Sequence, residues 1–122
     1  MTPLIVTYPD GSLYATIGAS GGSRIISAVA QCLWRSVEHG GTMTEALRHG
    51  RLHDQVSPNE LLLEREWFPF VDATAEEMRK KGHEIRFVQP GLSSVQAIRR
   101  LDDGVFEAVG EPRQVNSGGF TV

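Results

Sequence analysis

Gly18-Ala19-Ser20-Gly21-Gly22-Ser23-Arg24, followed by the apolar run Ile25 to Val37, decides how the rest of the chain must fold. Leu13, Ala15 and Ile17 lead into it with the two-residue period of a strand. A helical pattern from about Ser23 to His39 leads out, with Ser23 as its candidate N-cap and Gly40-Gly41 as its stop. The order is therefore strand, glycine loop, helix. Glycines at such a junction turn the backbone tightly and let it approach a ligand closely. The first N–H groups of the helix have no intrahelical partners and can face an anion or developing negative charge. Equally, the glycines can simply make the turn.

Working outward, the helix carries apolar residues around most of its circumference, and only Ser27, Gln31 and Arg35 form a polar stripe at i, i+4 spacing. Such a helix expects a sheet on one side and more protein on the other. Upstream, Leu4 to Tyr8 reads as a strand and Pro9-Asp10-Gly11-Ser12 as a hairpin turn into the strand Leu13 to Ile17. Downstream come a short helix over Thr44 to His49 started by Thr42 or Thr44, a polar segment Arg51 to Gln55 without clear period, and a strand Leu61 to Glu64. Trp67-Phe68-Pro69-Phe70 suggests a satellite core under a loop, and Asp72 to Lys81 an amphipathic surface helix. Strands are expected over His83 to Val88, Ser94 to Arg99 and Val105 to Val109, the last two joined at Asp103-Gly104, before a loop-rich tail. The pattern β-β-α-α-β-α-β-β-β predicts a mixed α+β fold of stacked helix and sheet layers.

Composition narrows the function. The 122 residues carry a net charge of −3, with 40% hydrophobic and 22% charged residues, so the chain is read as one domain or a piece of one, spanning 1–122. That balance gives no electrostatic footprint for nucleic acid. Arg79-Lys80-Lys81 reads as a solvated helix end and Arg99-Arg100 as a strand edge. The single cysteine, Cys32, lies in the apolar helix and reads as a packed thiol. No 18-residue apolar run predicts a membrane span. His49 and His53 have metal-compatible spacing, but Gly50 lies between them and no third ligand is evident, so no metal is expected.

Several segments, in order, resemble the γ-glutamyltranspeptidase (glutathione hydrolase) family. Gly21-Gly22-Ser23-Arg24-Ile25 is similar to the family's Gly-Gly-Ser-Arg-Ile segment. Arg51-x-His53-x-Gln55 with Pro58 resembles its Pro-Arg-x-His-x-Gln…Pro segment, with Gly50 in place of the proline. Glu111-Pro112-Arg113 and Gly118-Gly119-Phe120 resemble its Asp-Pro-Arg…Gly-Tyr ending, and Gln96-Ala97-Ile98 lies where the family has a similar strand. The resemblance implies the αββα sandwich of N-terminal-nucleophile hydrolases and acyl transfer from glutathione or other γ-glutamyl amides to water, an amino acid or a peptide. It implies no cofactor.

The resemblance also implies that backbone N–H groups of Gly21 and Gly22 form the oxyanion hole and so help bind substrate. Arg24, Arg51, Glu64 and Arg113 are expected as structural ion-pair residues, and His53 as a buried hydrogen-bonding histidine in preference to a distant part of the site. The match covers the carboxy-terminal part of the small subunit. The threonine nucleophile and the groups that bind the substrate's α-carboxylate and α-amine are expected upstream or in the large subunit. The partners expected are therefore the remainder of the small subunit and the large subunit, and the chain alone is expected to be inactive. An extracellular or secretory location is implied. A different class remains open: a catalytically inactive fragment or pseudoenzyme serving as an interaction module.

Overall fold

The computed structural model describes residues 1–121. Two antiparallel hairpins build its larger sheet. β1 (Leu4–Thr7) turns through Tyr8 to Ser12 into β2 (Leu13–Ser20), and Gly11 supplies the positive φ of +84° that this turn requires. Asp10 Oδ1 accepts from both the N–H and the hydroxyl of Ser12, which fixes the turn. After β2 come α1 (Arg24–Glu38), α2 (Met43–Arg48), β3 (Leu52–His53), β4 (Leu61–Glu64), α3 (Val71–Lys80) and β5 (Ile85–Val88). The chain then returns as the hairpin β6 (Ser94–Arg100) and β7 (Phe106–Val109). The sheet order is β1-β2-β6-β7, all neighbours antiparallel. The smaller sheet, β3-β4-β5, pairs β4 and β5 in parallel with α3 as the crossover.

Alternation decides which face is core. Ala15, Ile17 and Ala19 of β2 and Val95 and Ala97 of β6 bury against Ala28, Val29 and Cys32 of α1 and Met43 and Leu47 of α2. The residues between them point the other way. Ile5, Thr16, Ile98 and Ala108 stand in register across the opposite face, where Ile5 is 74% exposed. A second core forms where Leu61, Leu63, Val71 and Ala75 meet, with Phe68 and Phe87 packed against it. The aromatic cluster thus divides. Phe68 joins this core, Trp67 lies under the Arg113 guanidinium at 4.7 Å, and Phe70 is exposed in the left-handed region.

The helix α1 has its sheet, β2 and β6, on one side, as expected. Its outer stripe Ile26, Trp34 and Val37 is exposed. Its polar stripe finds a partner that the sequence left unread, because residues 51–55 contain β3. Gln31 Nε2 donates to Leu52 O at 2.7 Å, Leu52 N donates to Gln31 Oε1 at 3.0 Å, and Arg35 Nη2 donates to Gly50 O at 3.3 Å. Gln31 thereby substitutes for a neighbouring strand on the free edge of a two-residue ribbon.

Three local expectations are corrected. Ser23 is not a side-chain cap: its backbone is already helical, and its hydroxyl donates to Gln55 Oε1 at 2.6 Å. The second helix starts one residue earlier, at Met43. Thr42 caps it in a full capping box with Glu45, and the Glu107 carboxylate also accepts from Met43 N and Thr44 N. Arg99 and Arg100 end an interior strand rather than an edge one, and Arg99 Nη1 donates to Gly41 O at 2.7 Å.

Candidate active-site loop

The loop 21–23 sits where β2 ends and α1 begins. Both glycines hold positive φ, +133° at Gly21 and +63° at Gly22. At Gly21 there is also no room: an added Cβ would stand 2.8 Å from Leu92 O and 2.9 Å from Ser93 Cα. Gly22 faces open space, so only its φ selects glycine. The two carbonyls start the helix, accepting from Arg24 N at 3.3 Å and Ile25 N at 3.2 Å. Among the described residues, the N–H groups of Gly21 and Gly22 donate to nothing, and Gly22 is exposed. Two adjacent amides at a helix start, in a positive-φ turn, form a concavity suited to an anionic oxygen.

Side chains around the loop hold it from two directions. On one side, His53 is buried and placed between Ser27 Oγ, 2.7 Å from Nδ1, and Gln55 Oε1, 3.0 Å from Nε2. Gln55 Oε1 can only accept, so Nε2 carries a proton. Gln55 Oε1 also takes the Ser23 hydroxyl, which ties the loop to β3. His53 is thus the hydrogen-bonded core histidine expected. His49 bonds Gly50 O instead, and the two rings serve separate networks.

On the other side, Ser93 supports Gly21 and is itself held by Arg51, whose Nη1 donates to Ser93 O at 3.0 Å. Arg51 belongs to a buried network of two arginines and two glutamates. Arg51 Nη1 meets Glu111 Oε2 at 2.9 Å, Arg113 Nη1 meets Glu111 Oε1 at 3.0 Å, and Arg113 Nη2 meets Glu64 Oε2 at 2.6 Å. Glu64 Oε2 accepts from Arg51 N, and Glu111 Oε2 accepts from Val95 N. Burial alone raises the Glu111 pKa. The Arg51 guanidinium, the Val95 N–H and Arg113 outweigh it and hold the carboxyl below the usual carboxylate value. Burial dominates at Cys32, where it pushes the packed thiol up, with no activating partner overcoming it.

Of the expected ion-pair residues, Arg51, Glu64 and Arg113 meet in one network. Arg24 does not join it: among the described residues no carboxylate lies within ion-pair distance of its guanidinium. Sequence reasoning did not place Ser93, Gln55 or Glu111 at this site. Glu111 could have been found from its place two residues before Arg113. Ser93 supports Gly21 mainly through its backbone, which no side-chain pattern signals.

The helix-on-antiparallel-sheet layers, with a glycine loop at the strand end, are the arrangement found in solved γ-glutamyltranspeptidases, an N-terminal-nucleophile hydrolase fold. The Helicobacter pylori γ-glutamyltranspeptidase T380A mutant shares it at a TM-score of 0.81 and 31% identity, over 93% of this chain and 61% of that one. The Pseudomonas nitroreducens γ-glutamyltranspeptidase W525D mutant superposes at a TM-score of 0.83 and 26% identity, over 100% and 62%. Residues 1–120 match the model of the Gamma-glutamyltranspeptidase family, and the chain belongs to that family. It is 44% identical over 120 residues to a glutathione hydrolase proenzyme of Arthroderma benhamiae, and 33% identical over 116 residues to the glutathione hydrolase proenzyme of Escherichia coli. The chain spans about a fifth of the length of these two relatives, covering 20% and 19% of them.

Proposed function

We propose that these residues are the carboxy-terminal portion of the small subunit of a γ-glutamyltransferase, and that Gly21 and Gly22 supply its oxyanion hole. The complete enzyme transfers the γ-glutamyl group of glutathione or a related amide to water, an amino acid or a peptide. A threonine hydroxyl contributed by residues outside this chain attacks the γ-carbonyl carbon, using its own α-amine as base. The carbonyl oxygen becomes an oxyanion, and the two glycine N–H groups stabilise it as the charge appears. Collapse expels the leaving amine and gives a γ-glutamyl ester, which the acceptor then cleaves. The observation that carries this reading is the pair of adjacent positive-φ glycines whose N–H groups bond nothing within the chain, held on Ser93.

Two further features support the enzyme's missing parts as partners. The open sheet face around Ile5 and Ile98 and the outer stripe of α1 are apolar surfaces that a second sheet and a second subunit would cover. The 122 residues alone have no nucleophile and turn over no γ-glutamyl amide. Family kinship further supports an extracellular or secretory setting.

Gly22→Ala in the complete enzyme tests the reading. An L-residue resists φ near +63°, so the amide leaves its aim while the space around it stays open. Loss of an oxyanion donor typically costs about 3 kcal/mol of barrier. The expected result is a fall of about a hundredfold to a thousandfold in kcat for a γ-glutamyl anilide with KM little changed. A lower melting temperature with an unchanged rate per folded molecule would overturn the oxyanion role and leave the glycines as turn formers only.

A further inference from the structure

Ser23 and Ser27 stand four residues apart at the start of α1, and side-chain hydrogen bonds through Gln55 and His53 join them. Ser23 Oγ donates to Gln55 Oε1 at 2.6 Å, and His53 Nε2 donates to the same oxygen at 3.0 Å. His53 Nδ1 lies 2.7 Å from Ser27 Oγ. Gln55 is the centre of this chain of bonds, and its orientation is determined. A backbone carbonyl only accepts, so the 2.9 Å bond to Ser57 O places the amide Nε2 on that side. Oε1 is then the atom turned to Ser23 and His53. The backbone around Gln55 is pinned too. Asp54 Oδ1 accepts from Val56 N at 2.7 Å, and Gln55 O accepts from Ser57 N at 2.8 Å.

Gly21 and Gly22 have no side chains, and a glycine backbone rotates more freely than any other. Gly21 is confined by Leu92 O and Ser93, which crowd it. Beyond it, Ser23 is the first residue with a side chain that can hold the loop. The Gly22 peptide therefore hangs between one fixed point at Ser93 and another at Gln55. A serine at a helix start ordinarily turns its hydroxyl oxygen onto the first-turn amides. Ser23 makes no such cap bond, and its hydroxyl is drawn to Gln55 instead.

We propose that Gln55 is a positioning residue for γ-glutamyl transfer: acting through Ser23, it sets the aim of the Gly22 N–H, and His53 holds it in place. This rests on the reading of Gly21 and Gly22 as the oxyanion hole. Gln55 acts at one remove from the reacting atoms. Its effect belongs to the transition state, where the oxyanion needs the amide in line, and not to substrate binding.

The test uses the complete enzyme and a γ-glutamyl anilide, with kcat taken per folded molecule. Ser23→Ala removes one exposed hydroxyl and leaves the bonds of Gln55 to His53 and Ser57 in place, so the melting temperature is expected to hold. Its kcat is expected to fall about fivefold to tenfold with KM within about twofold, the contribution of one hydrogen bond expressed in the transition state. Gln55→Ala is expected to fall at least as far. The double variant is expected to be no slower than Gln55→Ala alone, because the two residues act as one. Ser23→Thr keeps the hydroxyl and is expected to recover most of the rate. Full kcat in either single variant would overturn the proposal, and so would a rise in KM at constant kcat or a double variant whose losses multiply. Gly22→Ala, measured alongside, separates the two claims. A slow Gly22→Ala with full-rate Ser23→Ala and Gln55→Ala removes the positioning role and leaves the oxyanion hole. A full-rate Gly22→Ala removes both.

Discussion

Glu111 shows what a single side chain does here. It is fully buried, yet each oxygen has charged or N–H partners, and it joins the carboxy-terminal tail to Arg51 and Arg113. Its pKa in the folded protein lies below the ordinary carboxylate value, so the unfolded chain binds the proton more tightly than the folded one. Its contribution to stability is therefore complete above the ordinary value of 4.5 and is lost as the pH falls from there through the depressed folded value. Melting temperature measured from pH 7 downwards should hold to about pH 5 and then drop. Glu111→Gln should remove its share of that acid dependence while costing about 3 kcal/mol or more at neutral pH, because two buried arginines lose a counter-charge. Much of this network was legible from the sequence: Arg51 and Arg113 fall in segments that carry the family resemblance, and both, with Glu64, were expected as ion-pair residues. Their mutual contact was not, since they lie up to 62 positions apart. Gly50 was legible only as a departure from the family's usual proline. The structure supplies its reason. Gly50 N donates to Trp67 O at 2.6 Å, which proline could not do, and Phe68 Cβ lies 2.5 Å from where a Gly50 Cβ would stand.

At the scale of elements, α1 organises the chain through two different faces. The apolar face was evident from its composition and lies on β2 and β6 as expected. The polar stripe was visible as Ser27, Gln31 and Arg35, but polar stripes ordinarily face water, and nothing in the sequence says that this one meets a strand. β3 escaped notice for the complementary reason. Two residues show no period, and Leu52 and His53 form a strand because Leu62 and Leu63 pair on one edge and Gln31 bonds the other. Gln31→Ala should therefore cost about 1–3 kcal/mol, since it leaves the Leu52 N–H and C=O without partners. Hydrogen exchange at the Leu52 amide checks it. Accelerated exchange there beyond any global change is expected, and unchanged protection would mean that Gln31 is ornamental to β3. The Ser23 expectation failed on the same principle: a hydroxyl at a helix start found Gln55 nearer than the amides it was expected to cap.

At the scale of the molecule, 122 residues form a layer arrangement with one face of its main sheet and one stripe of its central helix uncovered. The α+β class and the hairpins were readable from alternation and from Asp-Gly turns. The parallel pairing of β4 with β5 was not, because a crossover through α3 leaves no local turn signal. The glycine loop lies at the end of β2, and the ion network holds Ser93 beneath it. The most direct test is the crystal structure of the complete enzyme with a γ-boronate analogue of glutamate bonded to its threonine, forming a tetrahedral adduct. The predicted result is one boronate oxygen within about 2.7–3.1 Å of both Gly21 N and Gly22 N. An adduct whose oxygens are bound by other groups, with both glycine amides left in solvent, would contradict it.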